Sequence, residues 1–469
     1  MSTVPAPARG FVASSRFGLG LSLADIATMA GEPEAWLSAQ LPLAPMLPIE
    51  FAGLPSAATL LADATELYQL MQRTPATATA PASTPTAEEV RKLTLLARNE
   101  VTVLNGLRFR QAVMTGAPLV ERLLRFWSNH FTIATGGGPK RALAHTALAW
   151  ENEAIRAQMG GSFADMLVAV TRHPAMLIYL DNNVSTGPNS VNGKRTRRGL
   201  NENLSREILE LHTLGVDGGF TQEDVTALAR MLTGWTVFLD ERQRTLMAKD
   251  AVLGSFQFVA SSHEPGAQRL LGRNIPGGGV EQGEQALRLL ARQPATARHL
   301  ATKLAQHFVA DVPPAAAVAE LERVFLDTNG DLPSLHAALL RLESAWDGSA
   351  RKLRTPEEYV IAVMRGLRPD NAGETALAAV QVLGQIPFTA PSPAGWPDTA
   401  EFWSGPDALM KRIEWANSLS QRLPSSYDAR ALAAQLLPPD ATLQREVSRA
   451  ESPRQALALL LASPAFQWR

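Results

Sequence analysis

The sequence predicts a mainly α protein: a large multi-helix globular fold with one small β-hairpin inserted around residues 236–276. Three observations lead there. Apolar residues recur at helical spacing, as at Leu93, Leu96, Val103, Leu104 and Leu107. Helix-start signals are frequent: Pro33 and Pro118 suit a first turn, while Ser162 with Asp165 and Thr221 with Asp224 suit N-terminal caps. β-prone runs are confined to residues 236–238 and 255–259, and Gly-rich turns flank residues 269–275.

Composition supports this class. The 469 residues suffice for roughly two or three ordinary domains or one elaborated one. Apolar residues are 46% and charged residues 19%, a globular balance. With 44 basic and 45 acidic residues the formal net charge is -1, which argues against a protein that coats nucleic acid. The chain has no cysteine. Disulfides, thiolate nucleophiles, Cys-ligated zinc and iron–sulfur clusters are excluded, and a metal would need His, Asp, Glu or backbone oxygens. The first residues show no apolar signal region, so a cytoplasmic location is expected. The longest apolar runs, such as 456–462, fall short of the roughly 18 residues a membrane span needs.

Five regions are expected along the chain. Residues 1–73 form an N-terminal helical segment, with a loose tail over 1–10 and helices near 22–30 and 33–41. Residues 74–86 read TPATATAPASTPT, a Pro/Thr/Ala linker. Residues 87–240 form a central helical core. Its helices run over 118–131, 141–159, from 162 to His173-Pro174, over 200–214, and from Thr221 to about Gly234. Residues 181–201 lack periodicity, which in a compact protein points to a functional or disordered loop. Residues 241–280 form the hairpin region. Residues 281–469 are helical again, broken by Pro-rich loops at 312–314 and 386–397, and are expected to pack with the core as one unit.

No Walker loop, dinucleotide fingerprint, nucleophile elbow or HExxH motif is present. Residues 135–141 read as a helix-to-helix loop, or as an anion-binding nest. In the helix 200–214, Glu202, Arg206, Glu210, Asn203 and Glu207 fall within one arc of about 140°. Leu204, Ile208 and Leu211 face the other way with His212. The polar arc reads either as a cleft lining or as a solvated face with i,i+4 pairing. His130 shares a face with Leu123 and Trp127 and reads as a core histidine or a ligand. His299, Lys303 and His307 recur at i, i+4 and i+8 beside Leu300, Leu304 and Phe308. They read as the polar border of a packed helix, with a basic groove flank as the alternative. His263 and Glu264 lie at the edge of the predicted hairpin, where loop residues are good functional candidates. Lys194, Arg195, Arg197 and Arg198 cluster in the loop 181–201, to pair with the acidic helix face or to recruit an anion.

Several segments together resemble a bacterial family catalogued as a domain of unknown function, number 1800. They are Arg16-Phe17-Gly18-Leu19-Gly20, Phe126-Trp127-Ser128-Asn129-His130-Phe131, His173-Pro174-Ala175-Met176-Leu177 and Tyr179-Leu180-Asp181-Asn182. The strongest is RGLNENLSREILELHTLGVDGGFTQEDVTALARMLTGWTV, residues 198–237. His263-Glu264 with Gly266, and Ala462-Ser463-Pro464-Ala465-Phe466, also fit. The resemblance implies no catalytic residue and leaves the cofactor open. It implies members exported by the twin-arginine route and encoded beside a family resembling alkaline phosphatases and sulfatases. This chain departs in showing no signal, so a periplasmic location would require export with a partner.

Three functions are therefore expected to compete. The first is an enzyme with a carboxylate- and arginine-lined polar cleft for a divalent metal or an anionic substrate. Its catalytic candidates are Glu202, Arg206, Glu207, Glu210 and His263. Its ligand-binding candidates are Asn129, His130, Lys194, Arg195, Arg197, Arg198, Asn203 and Asp217. The second is a non-catalytic binding or maturation partner of a co-encoded phosphatase- or sulfatase-like protein. The third is a helical haem protein using His130 or His212.

Overall fold

A computed structural model describes residues 6–72, 86–196, 199–348, 351–424, 426–437 and 440–469. The linker 74–86, except Thr86, lies outside the described residues, as do Arg197 and Arg198. The chain is mainly helical, as predicted. Among the described residues no helix is long and apolar enough to cross a membrane.

Local sequence accounts for most helix starts. Pro33, Pro118, Pro174 and Pro294 open helices Pro33–Ser38, Pro118–His130, Pro174–Tyr179 and Pro294–Phe308, where a missing N–H costs nothing. Reciprocal capping boxes form at Ser22/Asp25, Thr86/Glu89, Thr221/Asp224 and Thr355/Glu358. Ser162 caps Phe163–Arg172.

Three expectations need correction. The single hairpin is two antiparallel pairs. Trp235–Val237 pairs with Phe256–Phe258, and Gln268–Leu270 with Arg273–Ile275. The first pair is bridged by a long connection containing the 3₁₀ turn Glu241–Leu246. The second closes through Leu271 and Gly272, both at positive φ (48° and 76°), the geometry of a two-residue type I′ loop. Asp224 anchors that unusual leucine by accepting the Leu271 N–H at 2.7 Å.

The helix expected over 141–159 changes pitch. It runs as a 3₁₀ turn Gly138–Ala142, α-helix Leu143–Trp150, π turn Glu151–Ile155 and 3₁₀ turn Arg156–Gln158. The helix expected over 200–214 is Asn203–Glu207 followed by a π turn, Ile208–His212. The Thr213 hydroxyl donates to the Ile208 carbonyl at 2.6 Å and closes that wider turn. A π turn leaves backbone groups available to partners outside the helix. Here the Leu211 and His212 carbonyls accept from His299 Nε2 (3.0 Å) and His130 Nε2 (3.2 Å). The loop 181–201 contains a 3₁₀ turn Asn182–Val184 and a short helix Val191–Thr196.

Two apolar clusters carry the fold. One spans Val12 to Trp346 and includes Trp127, Phe131, Phe163 and Leu304. The other joins Phe109, at the end of helix Ala87–Met114, to Tyr359, Trp415 and Leu460. Buried arginines stitch the segment 16–20 to both. Arg16 donates to the Ala345 and Asp347 carbonyls, Arg122 to Gly18, and Arg365 to Gly20 and Asp25. Gly20 (φ +103°) touches this frame so closely that a Cβ would lie 2.6 Å from that of Ala362. The segment Arg16-Phe17-Gly18-Leu19-Gly20 is thus explained by packing.

Candidate functional site

A cavity of about 230 Å³ opens where residues of the two clusters meet. Helix Pro118–His130 contributes Arg122, Arg125, Phe126, Asn129 and His130. Helix Pro294–Phe308 contributes Lys303 and His307. The first turn of helix Pro356–Leu367 contributes Glu357 and Glu358, and the Pro-rich loop supplies Phe388, Trp396 and Asp398.

Beneath it lies a buried arginine–glutamate network. Arg108 bonds Glu151 and Glu357, each at 2.7 Å. Arg125 Nε bonds Glu357 at 2.9 Å, and Arg156 bonds Glu121 at 2.8 Å. Glu358 accepts from Arg122 and, at 3.1 Å, from Arg469. Burial alone would raise these carboxyls. The arginines outweigh it and hold Glu121, Glu357 and Glu358 below the usual carboxylate range. Arg122 is itself lowered to about 9 by burial and by neighbouring Arg469.

Above the network sit two groups that differ from it. His307 Nδ1 lies 2.7 Å from Asp398 Oδ2. Its Nε2 is buried without a hydrogen-bond partner among the described residues, 4.0 Å from Glu358. Lys352 steadies Asp398 at 3.4 Å and Asp311 at 2.7 Å. Burial lowers the His307 pKa and Asp398 opposes that. Lys303, one turn before His307, has no hydrogen bond or ion pair among the described residues. Burial lowers its ammonium to about 8, with Asp398 acting in the opposite sense.

Three histidines border this floor. The His130 ring lies 6.1 Å from His212 and 6.2 Å from His299, centroid to centroid. A carbonyl only accepts, so His130 carries its proton on Nε2. Its Nδ1 is then a buried lone pair without a partner among the described residues. Burial, then Lys303, pushes His212 to about 3 and His299 to about 4. Among the described residues no three His, Asp or Glu side chains gather as metal ligands.

The predicted site residues separate. Asn129 and His130 line the cavity; the others among the described residues do not. Glu202, Arg206 and Glu210 form a half-exposed network with Gln222 and Thr226, Arg206 reaching Glu202 at 3.5 Å and Glu210 at 3.4 Å. Glu207 lies near Tyr179 and Glu210, and burial, then Glu210, raises its carboxyl. His263 is buried with both ring nitrogens engaged, by the Thr233 carbonyl (2.8 Å) and Gln282 (3.1 Å). Asn203 and Asp217 are exposed, as are Lys194 and Arg195 on helix Val191–Thr196. Asp398 went unnoticed in the sequence; its only signal was a long Pro-rich loop in a compact chain.

That loop is positioned tightly. Asn129 accepts the Trp396 N–H (2.7 Å) and donates to the Trp396 carbonyl (2.9 Å). The Phe388 carbonyl accepts from Thr135 at 2.8 Å, holding Phe388 at φ 56°. At Gly395 (φ +86°) a Cβ would lie 2.4 Å from the Asn129 carbonyl oxygen. Gly395→Ala is therefore expected to cost about 2–4 kcal/mol, strain plus collision. Gly384→Ala, at φ +84° with nothing within 4 Å, is expected to cost only about 1–2 kcal/mol. Urea unfolding of both variants checks the difference.

No curated protein and no solved structure matches the chain. The sequence pattern of the family described as a protein of unknown function (DUF1800) matches residues 12–468. That span takes in the segment 16–20, both faces of the cavity and Asp398, and the chain belongs to this family.

Proposed function

We propose that the protein is an enzyme whose cavity carries out general acid–base chemistry on a small polar substrate, with His307 moving the proton and Asp398 orienting it. The observation that carries this reading is the 2.7 Å contact between His307 Nδ1 and Asp398, with Nε2 left unpaired beside the cavity. A carboxylate at one ring nitrogen selects the tautomer that presents a lone pair at the other, and it stabilises the imidazolium formed on proton transfer. The arginine–glutamate floor keeps the neighbouring carboxylates ionised and fixed. This reading keeps the idea of a polar cleft but assigns its chemistry to His307 and to Asp398 of the Pro-rich loop, with Asn129 and His130 in the lining.

The test begins with binding. Small carboxylic acids, carbonyl compounds and esters are screened by thermal shift. Ala394→Trp, at the exposed rim of the cavity, is expected to abolish the stabilisation while leaving the unliganded fold unchanged. His307→Asn is expected to keep binding and to slow turnover of a hit at least about 100-fold. Stabilisation that survives Ala394→Trp for every hit, or turnover indifferent to His307→Asn, would overturn the reading.

A further inference from the structure

We infer that Lys303 is a nucleophile that holds a small aldehyde or ketone in the cavity as an imine. The inference rests on the reading of the cavity as a substrate site, and it names the substrate class.

Lys303, half-buried in the cavity wall, stands apart from the fully buried cations. Lys352 pairs with Asp311 and Asp398, Arg108 with Glu151 and Glu357, and Arg365 with Asp25. Lys303 has no such partner among the described residues, yet it lines the cavity. Its helix places His299 one turn before it and His307 one turn after. His130 lines the same cavity, as do Arg122 and Arg125. Glu357, Glu358 and Asp398 line the cavity too; burial disfavours the Lys303 ammonium and outweighs Asp398, which acts in the opposite sense, so the balance moves toward the free amine. A structural lysine would gain by pairing; a nucleophilic one needs its lone pair free.

The chemistry balances without an oxidant or a metal. The Lys303 Nζ lone pair attacks the carbonyl carbon. The C=O π pair moves to oxygen, which takes the proton that His307 Nε2 has accepted from the Lys303 ammonium, giving a carbinolamine. The amine proton passes back to His307. The C–O bond then breaks, and the hydroxyl leaves as water after receiving that proton. The net change is the Lys303 ammonium plus carbonyl to a protonated imine plus one water, with His307 neutral at the start and at the end. Attack on an ester would give an amide and attack on a phosphate a phosphoramidate, so the class that gives an imine is an aldehyde or ketone.

The experiment uses the full chain with sodium cyanoborohydride and, in turn, pyruvate, glyoxylate and glyceraldehyde, followed by digestion and mass spectrometry. Adduct at Lys303 is expected to form at least about tenfold faster at pH 7 than at Lys411, an exposed lysine paired with Asp407, as the lower pKa enlarges the free-amine fraction. Ala394→Trp should slow labelling at Lys303 and leave Lys411 unaffected. Labelling of Lys303 no faster than Lys411 with all three probes overturns the inference. If that happens while Ala394→Trp still abolishes stabilisation by a screened ligand, imine formation fails and the acid–base reading stands.

Discussion

Replacing Glu358 by glutamine is expected to lower the unfolding free energy by about 3–5 kcal/mol, the cost of leaving a buried charge without its partner. Glu358 receives Arg122, Arg469 from two nitrogens, and the Thr355 N–H. Arg122 already sits close enough to Arg469 and Arg354 for both to lower its pKa. Glutamine keeps the shape and one acceptor for the helix cap but removes the charge that reconciles these guanidiniums. The loss is thus electrostatic more than steric. Urea unfolding measures it. Glu320→Gln, which breaks an exposed pair with Arg323, should leave the midpoint where it is. Adding Arg122→Met to Glu358→Gln should cost less than the two changes summed, because the uncompensated cation is gone. A Glu358→Gln protein within about 1 kcal/mol of the parent would show that solvent reaches the network.

The second large effect is on acid stability. His130, His212 and His336 are fully buried. Burial lowers His336 to about 4 and His212 to about 3, and takes His130 well below its ordinary 6.5. The sign follows from linkage. Below pH 6.5 the unfolded chain takes up protons that the folded chain refuses, so stability falls as pH falls. Each such histidine contributes about 1.4 kcal/mol per pH unit until its folded pKa is reached. The window runs from about pH 6.5 down to about 4 for His336 and about 3 for His212. Below the ordinary carboxylate range the lowered Glu121 and Glu357 take over with the same sign. Denaturant titrations at pH 7.5, 6 and 5 should show the unfolding free energy dropping at each step. His336 accepts the Trp127 indole N–H at 3.1 Å, a role the glutamine oxygen can fill without titrating. His336→Gln should therefore flatten the profile by about 1.4 kcal/mol per pH unit. An unchanged slope would mean that His336 is protonated in the folded protein.

Much of the fold was legible because its signals are local. Pro118 and Pro294 start helices, and Thr221 with Asp224 caps one. The phase of His299, Lys303 and His307 beside Leu300, Leu304 and Phe308 was equally readable. Pitch was not. The π turn at Ile208–His212 depends on Thr213 reaching back to Ile208 and on histidines from other helices taking the Leu211 and His212 carbonyls. The two strand pairs were drawn as one hairpin because β-propensity marks strands without saying which of them pair.

By itself the sequence determined the helical class, the family and the face on which Lys303 and His307 lie, since helical phase and capping are properties of neighbours in the chain. Only the tertiary structure decided where that face points. It brought Asp398 to His307 from 91 residues away and Glu358 from helix Pro356–Leu367. It left Glu202, Arg206 and Glu210 on a half-exposed surface network. Charge pairing across such separations depends on which helices pack together, and packing follows buried apolar surface, whose pattern names a face but not its partner.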